Sequence, residues 1–201
     1  VIGRAKVPSG GYDRPERALE AYMAALENAG MAAKAVDAVT ATGRGKYDVP
    51  FAAHRITETI AAVRAGAILV NGATSVLSVG ADECIAATIG EKRPVDEFVL
   101  NQKCTAGLGT FMQVMSGRLE MPLEVMAETD TGTAPNINQG CTVFAELDAL
   151  SLLNGGAAAE TVAAACIKAA AVRAATVLRD LTAPRSDRTA LIGGMAKNRA
   201  F

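Results

Sequence analysis

Residues 158–180 form the longest helical pattern in the chain, and ten of them are alanine. A helix of about six turns with such short side chains lets its neighbours come close. The core around it must therefore be built by near approach of backbones rather than by large rings. Composition elsewhere agrees: there are 41 alanines, no Trp, 3 Tyr and 5 Phe. Leu, Ile, Val and Met are left to fill the remaining space. Half of the 201 residues are hydrophobic, and 20 Lys+Arg against 21 Asp+Glu give a net charge of −1. A disordered chain is excluded by that balance, and so is a surface basic enough to hold nucleic acid. The length allows one domain or two small lobes.

Two apolar stretches, 60–70 and 161–176, are interrupted by Arg64, Lys168 and Arg173. Both fall short of the roughly 18 uncharged residues of a membrane span. No signal-peptide pattern opens the sequence, and its first residue is Val1, as in a fragment of a longer protein. The expected location is cytoplasmic, away from membranes.

Periodicity predicts a helix over 14–29, with Leu19, Met23 and Leu26 on one stripe, Asp13 as cap, Pro15 in the first turn and Gly30 at the end. A strand is predicted over 36–42, and a second helix over 54–66 with Ile56, Ile60 and Val63 inward. Short apolar runs at 67–70, 75–79, 84–89 and 95–100 read as strands, some in hairpins. Helices follow at 107–119, from Pro122 to 128, at 142–153 and at 158–180, with 129–140 as loop. A strand at 189–193 leads into a helix opening at Met195. This order predicts an α/β chain whose sheet is covered by helices, with a lobe boundary between 103 and 104.

Three glycine turns follow predicted strands: Val79-Gly80-Ala81-Asp82, Ala106-Gly107-Leu108-Gly109 and Ile192-Gly193-Gly194-Met195. Glycine lets backbone N–H groups approach a phosphate, and a helix N-terminus adds partial positive charge. No Walker-type Gly-x-x-x-x-Gly-Lys-Ser/Thr string occurs, nor a Gly-x-Ser-x-Gly nucleophile elbow. The sole histidine, His54, is read as a surface or capping residue.

Of four cysteines, Cys84 and Cys166 lie in apolar runs and read as small buried side chains. Cys104 and Cys141 each precede a predicted helix, where backbone dipoles stabilise a thiolate and suit it to a metal. Zinc spacings are absent. Two thiols cannot complete a four-thiolate cluster in one chain, but two chains about a two-fold axis can. Ligand count alone thus points to a cluster at a dimer interface.

Asn101-Gln102-Lys103-Cys104-Thr105-Ala106-Gly107-Leu108-Gly109-Thr110-Phe111 resembles the string Asn-Asp-Lys-Cys-Ala-Ala-Gly-Thr-Gly-Arg-Phe. Gly140-Cys141-Thr142-Val143-Phe144-Ala145-Glu146 resembles Thr-Cys-Thr-Val-Phe-Ala-Glu. Both strings belong to the ATP-dependent activators of 2-hydroxyacyl-CoA dehydratases and the related ATPase subunits of benzoyl-CoA reductases. Thr42-Gly43-Arg44-Gly45-Lys46, Ile56-Thr57-Glu58 and Gly193-Gly194-Met195-Ala196-Lys197-Asn198 are similar to further strings of that family, in order, over residues 40–198.

The resemblance implies the acetate-and-sugar-kinase, Hsc70 and actin fold: two ribonuclease-H-like lobes around an ATP cleft, incomplete here at both ends. Residues 1–103 would be the partial first lobe and 104–201 the helical, partial second. It implies ATP/ADP with Mg²⁺ and a [4Fe–4S] cluster held by Cys104 and Cys141 of two chains, as a homodimer or pseudo-symmetric heterodimer. Nucleotide turnover would gate a low-potential electron from a ferredoxin or flavodoxin donor to a partner dehydratase or reductase. By match, Gly80, Ala81, Asp82, Gly107 and Gly109 would lie near the phosphates. Gly193, Gly194, Asn198 and Glu146 would lie near the adenosine.

Several positions depart from the family pattern. Its Asp-Ile-Gly-Gly-Gln-Asp motif reads Ser78-Val79-Gly80-Ala81-Asp82-Glu83, so the first acid is a serine and the second glycine an alanine. Leu108 and Thr110 replace Thr and Arg, and the N-terminal Asp-x-Gly-Ser/Thr loop is missing. These departures motivate one alternative, a non-hydrolysing assembly subunit; the other alternative is a kinase-like ATP-binding enzyme of the same superfamily without a cluster. No residue is assigned as the catalytic base.

Overall fold

The computed structural model describes residues 1–9, 11–91, 94–101, 107–183 and 188–201. It divides into two compact units, Val1–Ala61 and Ala62–Phe201. The predicted 103/104 boundary lies among residues 102–106, outside the described residues.

In the first unit, helix α1 spans Arg14–Ala29 as predicted, with a proline in its first turn. Gly30 ends it in the left-handed conformation, at φ 64°, and donates its N–H to Glu27 O. Asp13 does not cap α1 with its side chain. Its carboxylate instead takes Arg17 Nε at 3.0 Å. Only Leu26 of the predicted stripe is buried, while Leu19 and Met23 are exposed. The strand expected over 36–42 shrinks to β1, Thr40–Ala41, preceded by a turn of 3₁₀ helix at Ala33–Ala35. β1 pairs in parallel with β2, His54–Arg55, where the exposed His54 sits at the surface as expected.

Helix α2 spans Glu58–Leu69. Thr57 Oγ1 accepts the Ile60 N–H and caps it. The run 67–70, expected as a strand, is the last turn of this helix and its exit. Gly66 was expected to end α2 and instead lies buried within it. A Cβ there would strike the Val76 side chain and come within 3.2 Å of Ala190 Cβ. Glycine at this point permits close packing of helix on sheet.

The sheet of the second unit has the order β5-β4-β3-β6. Strands β3 (Ser75–Val79), β4 (Cys84–Ile89) and β5 (Val95–Leu100) form an antiparallel meander. Strand β6 (Thr189–Ile192) lies parallel to β3, in register from Ser75↔Thr189 to Ser78↔Ile192. Alternation along β3 sends Val76 to one face, with Val63, Ala87 and Ala190. Leu77 and Val79 go to the other face, the main core.

That core is covered by α3 (Leu108–Arg118), α4 (Leu123–Met126), α5 (Thr142–Asn154) and α6 (Ala159–Arg179). α6 is long and apolar enough by composition to cross a membrane, yet it forms the centre of the core. Ala163, Ala164, Ala165, Ala169 and Ala170 bury one broad face against sheet and helices. Met112, Met115, Met126, Leu108 and Ile167 fill the gaps between these small residues and are fully enclosed. Each such burial contributes about 1.5–3 kcal/mol. The segment after β6 is a 3₁₀ turn, Gly194–Lys197, where a helix was expected.

Candidate functional site

Because β3 and β6 are parallel neighbours, their carboxyl ends reach the same edge of the sheet. Gly80 follows one strand and Gly193 the other. Crevices outside the carboxyl ends of parallel strands are the usual ligand sites of α/β sheets. Here the two turns and the start of α3 enclose a cavity of about 300 Å³.

Backbone contacts explain the glycines. Gly193 has φ 95° and ψ −177°, a region essentially restricted to glycine. A Cβ there would meet the backbone carbonyl of Val79, with Val79 C at 2.7 Å. A Cβ on Gly109 would lie 2.7 Å from Gly80 O and 2.8 Å from Ala81 Cα. α3 is thereby pressed onto the β3–β4 turn. Gly109 N donates to Gly80 O and Thr110 N to Ala81 O, both at 3.0 Å. Two first-turn N–H groups of α3 are thus committed to the turn, so this helix end does not present them to an anion. Asp82 is tied to the same helix, accepting Thr110 Oγ1 at 3.0 Å.

Five of the expected nucleotide residues line the cavity: Gly80, Ala81, Gly109, Gly194 and Asn198. Gly107, Asp82 and Gly193 do not line it, and each lies within two residues of a lining position in the chain. Asn198 Oδ1 accepts the N–H groups of Ala200 and Phe201, each at 3.0 Å. Any contact from its side chain to a ligand therefore falls to the NH₂ group. Glu146 does not line the cavity. It accepts Arg118 Nε at 3.0 Å.

The wall also includes residues not singled out from sequence: Met112, Gln113, Leu123, Glu124, Ala127 and Lys197. Lys197 sits inside the Gly193–Asn198 string and was within reach of that motif. Glu124 and Leu123 had no such signal, since only packing of α4 beside α3 brings them here. Ser78, in place of the family's first acid, is half-buried on β3, opposite Ile85 and Ile192.

Cys104 lies outside the described residues. Cys141 is the N-cap residue of α5 and is half-buried. Among the described residues no three His, Cys, Asp or Glu side chains gather as a metal site. Cys84 and Cys166 are buried, as expected. Burial pushes the Cys84 thiol from 9.0 to about 11. Burial pushes Cys166 to about 12, opposed in part by the charge of Arg173. Neither suits a thiolate ligand.

A reactivity test follows. At pH 8 an alkylating reagent should modify neither Cys84 nor Cys166 until the protein unfolds, as read by peptide mass spectrometry. Modification of either in the native state would contradict their enclosure. The shifts also act on stability. Between pH 9 and about 11–12 the unfolded chain releases these protons first, so stability present below pH 9 declines as pH rises through that window. Denaturant midpoints measured from pH 8 to 11 should fall, and a flat profile would contradict the shifts.

Comparison with known proteins places this geometry in context. The family model described as the BadF/BadG/BcrA/BcrD ATPase family matches residues 1–201. An activator of lactoyl-CoA dehydratase from Anaerotignum propionicum is 35% identical over 149 residues, 73% of this chain and 56% of that protein. The match thus spans little more than half the length of that relative. Among solved structures, component A of the (R)-2-hydroxyglutaryl-CoA dehydratase of Acidaminococcus fermentans superposes with a TM-score of 0.86. The likeness is at 23% identity and covers 99% of this chain and 76% of that one. An activator of the 2-hydroxyisocaproyl-CoA dehydratase from Clostridium difficile, with bound ADPNP, gives 0.80 at 24% identity, covering 94% and 70%. The expected α/β, actin-like fold is that of these solved structures.

Proposed function

The chain belongs to the BadF/BadG/BcrA/BcrD ATPase family, and on that premise we propose that it binds ATP in the cavity at the ends of β3 and β6 and activates a partner enzyme acting on a CoA thioester. The observation that carries this reading is the convergence of three glycine turns, distant in sequence, on one cavity. At about 300 Å³ it lies within the range of small-molecule sites. Met112, Leu123 and Ala127 offer an apolar wall for a base, while Gly194 and Gly80 let backbone come close to a phosphate chain. Magnesium arriving with the nucleotide needs only one or two protein carboxylates. Glu124 lines the cavity, and Asp82 stands in the adjoining β3–β4 turn, bonded to Thr110.

Electron transfer is the finer part of the proposal. A [4Fe–4S] cluster held by Cys104 and Cys141 of two chains would supply the low-potential electron, received from a ferredoxin- or flavodoxin-like donor. Cys141 fits this use: its thiol is half-buried, and α5 begins beside it with its positive dipole end. Val143, Phe144 and Leu147 on α5 are each more than half exposed next to Cys141. Such an apolar patch suits a second copy of the chain closing over the thiols. Nucleotide must favour one arrangement of that dimer to gate transfer.

A second reading, a non-hydrolysing assembly subunit, is favoured by Ser78 and by the commitment of Asp82 to Thr110. Steady-state ATP turnover by the full-length chain separates the two. Turnover that needs no phosphate acceptor supports the activator. Tight ATP binding without turnover supports the assembly subunit. No binding overturns both.

A further inference from the structure

Two basic residues interrupt the apolar face of α6, and both are spent on one loop. Lys168 Nζ donates to Ala134 O at 2.8 Å. Arg173, only 5% exposed, lies one and a half turns further on. Its guanidinium donates from Nη2 to Asn138 O at 2.6 Å and to Cys141 O at 3.4 Å, and from Nε to Gln139 O. The same group lies 5.7 Å from the ring of Phe111, in the first turn of α3.

The opposite side of the loop is held by Asn138. Its Oδ1 accepts the N–H groups of Gly140 and Cys141, each at 2.9 Å. Asp148 of α5 accepts Asn138 N at 2.8 Å. The loop is therefore gripped through its carbonyls by a buried cation and through its amides by an Asx turn. Loop carbonyls that converge on one rigid guanidinium fork are fixed in direction as well as position. A buried cation is costly unless its donors are used, and here Nε and Nη2 are used on the segment that ends in Cys141.

We infer that Arg173 is a positioning residue for Cys141: it fixes the 138–141 loop so that the thiol stands at the start of α5, and its charge sets the electrostatics of a group bound there. This rests on the cluster reading above. Outer-shell groups that orient a ligand typically alter metal affinity by about 10–100-fold when removed. A buried positive charge also favours the reduced, more negative form of an anionic cluster.

The test uses the full chain with Arg173→Gln and Arg173→Lys. In metal-free protein, hydrogen exchange at residues 139–142 should quicken in both variants. After anaerobic reconstitution, Arg173→Gln should bind iron about 10–100-fold more weakly. Any cluster it retains should titrate at a lower midpoint potential by electron paramagnetic resonance. Arg173→Lys keeps the charge without the fork, so its potential should stay near that of the unchanged chain while its loop remains loosened. A purely structural role would leave the potential untouched. Exchange, iron content and potential all unchanged in Arg173→Gln would overturn the inference. If that variant does not fold, loop exchange in Arg173→Lys equal to the unchanged chain overturns it. Failure of the unchanged chain to take up iron overturns the cluster reading, and with it this role for Arg173.

Discussion

Replacing Gly193 with alanine should cost the protein about 2–6 kcal/mol and abolish the proposed nucleotide binding. The backbone at 193 lies in a region that an L side chain enters only at about 1–3 kcal/mol. The added methyl would also be driven into the Val79 carbonyl, at the carboxyl end of the β3–β6 contact. Relieving the clash means moving one parallel strand away from the other, at a cost of the order seen when a core is overpacked, about 1–3 kcal/mol. Total stabilities of about 5–15 kcal/mol leave little margin for that loss. The same movement separates Gly80 from Gly194 and opens the cavity. Gly194→Ala is the control: no atom lies within 4 Å of its Cβ position. Chemical denaturation should show a large loss of stability in the first variant and near-normal stability in the second, and calorimetric titration should show ATP binding lost in the first. Equal stability of the two would contradict the close approach of Gly193 to β3.

Cys141→Ser should remove essentially all bound iron, while Cys84→Ala and Cys166→Ala should not. The distinction is one of environment. Cys141 caps α5 at the edge of an exposed apolar face, whereas the other two thiols are enclosed and resist ionisation. Serine preserves the size and is itself a favoured N-cap residue, so helix α5 should persist and the loss should be confined to metal. Iron and sulfide assays after anaerobic reconstitution, with far-ultraviolet circular dichroism as a check on folding, read both outcomes. Iron retained by Cys141→Ser would remove this residue from the proposed ligand set.

Sequence pattern located the elements whose signals were local. The Pro15 start and Gly30 stop of α1 act within the helix itself, and the runs 75–79, 84–89 and 95–100 carry enough apolar residues to read as strands. It failed where tertiary contact decides. Gly66 looked like the end of a helix because the glycine that breaks a helix and the one that packs against a sheet look alike in a list of residues. Only Val76 and Ala190 distinguish them. Likewise, Val36–Thr42 alternates like a strand, but just two of its residues find a neighbour in β2.

At the candidate site, the glycine turns were legible as motifs, and their convergence was implied only by the family resemblance, because the parallel pairing of β3 with β6 joins segments more than 100 residues apart. Glu146 shows the converse risk. Its motif match is close, yet its carboxylate is engaged by Arg118 outside the cavity. Arg173 was visible only as a charge that interrupts an apolar run. Its hold on the Cys141 loop depends on how α6 lies beneath that loop, which no local pattern records.

The most direct measurement is the iron and acid-labile sulfide content of the anaerobically purified or reconstituted full-length chain, with electron paramagnetic resonance of the dithionite-reduced protein. The account predicts a brown protein with about one four-iron cluster per two chains and a spectrum abolished by Cys141→Ser. Colourless protein, free of iron after reconstitution and still able to bind ATP, would contradict electron transfer and leave only the nucleotide site standing.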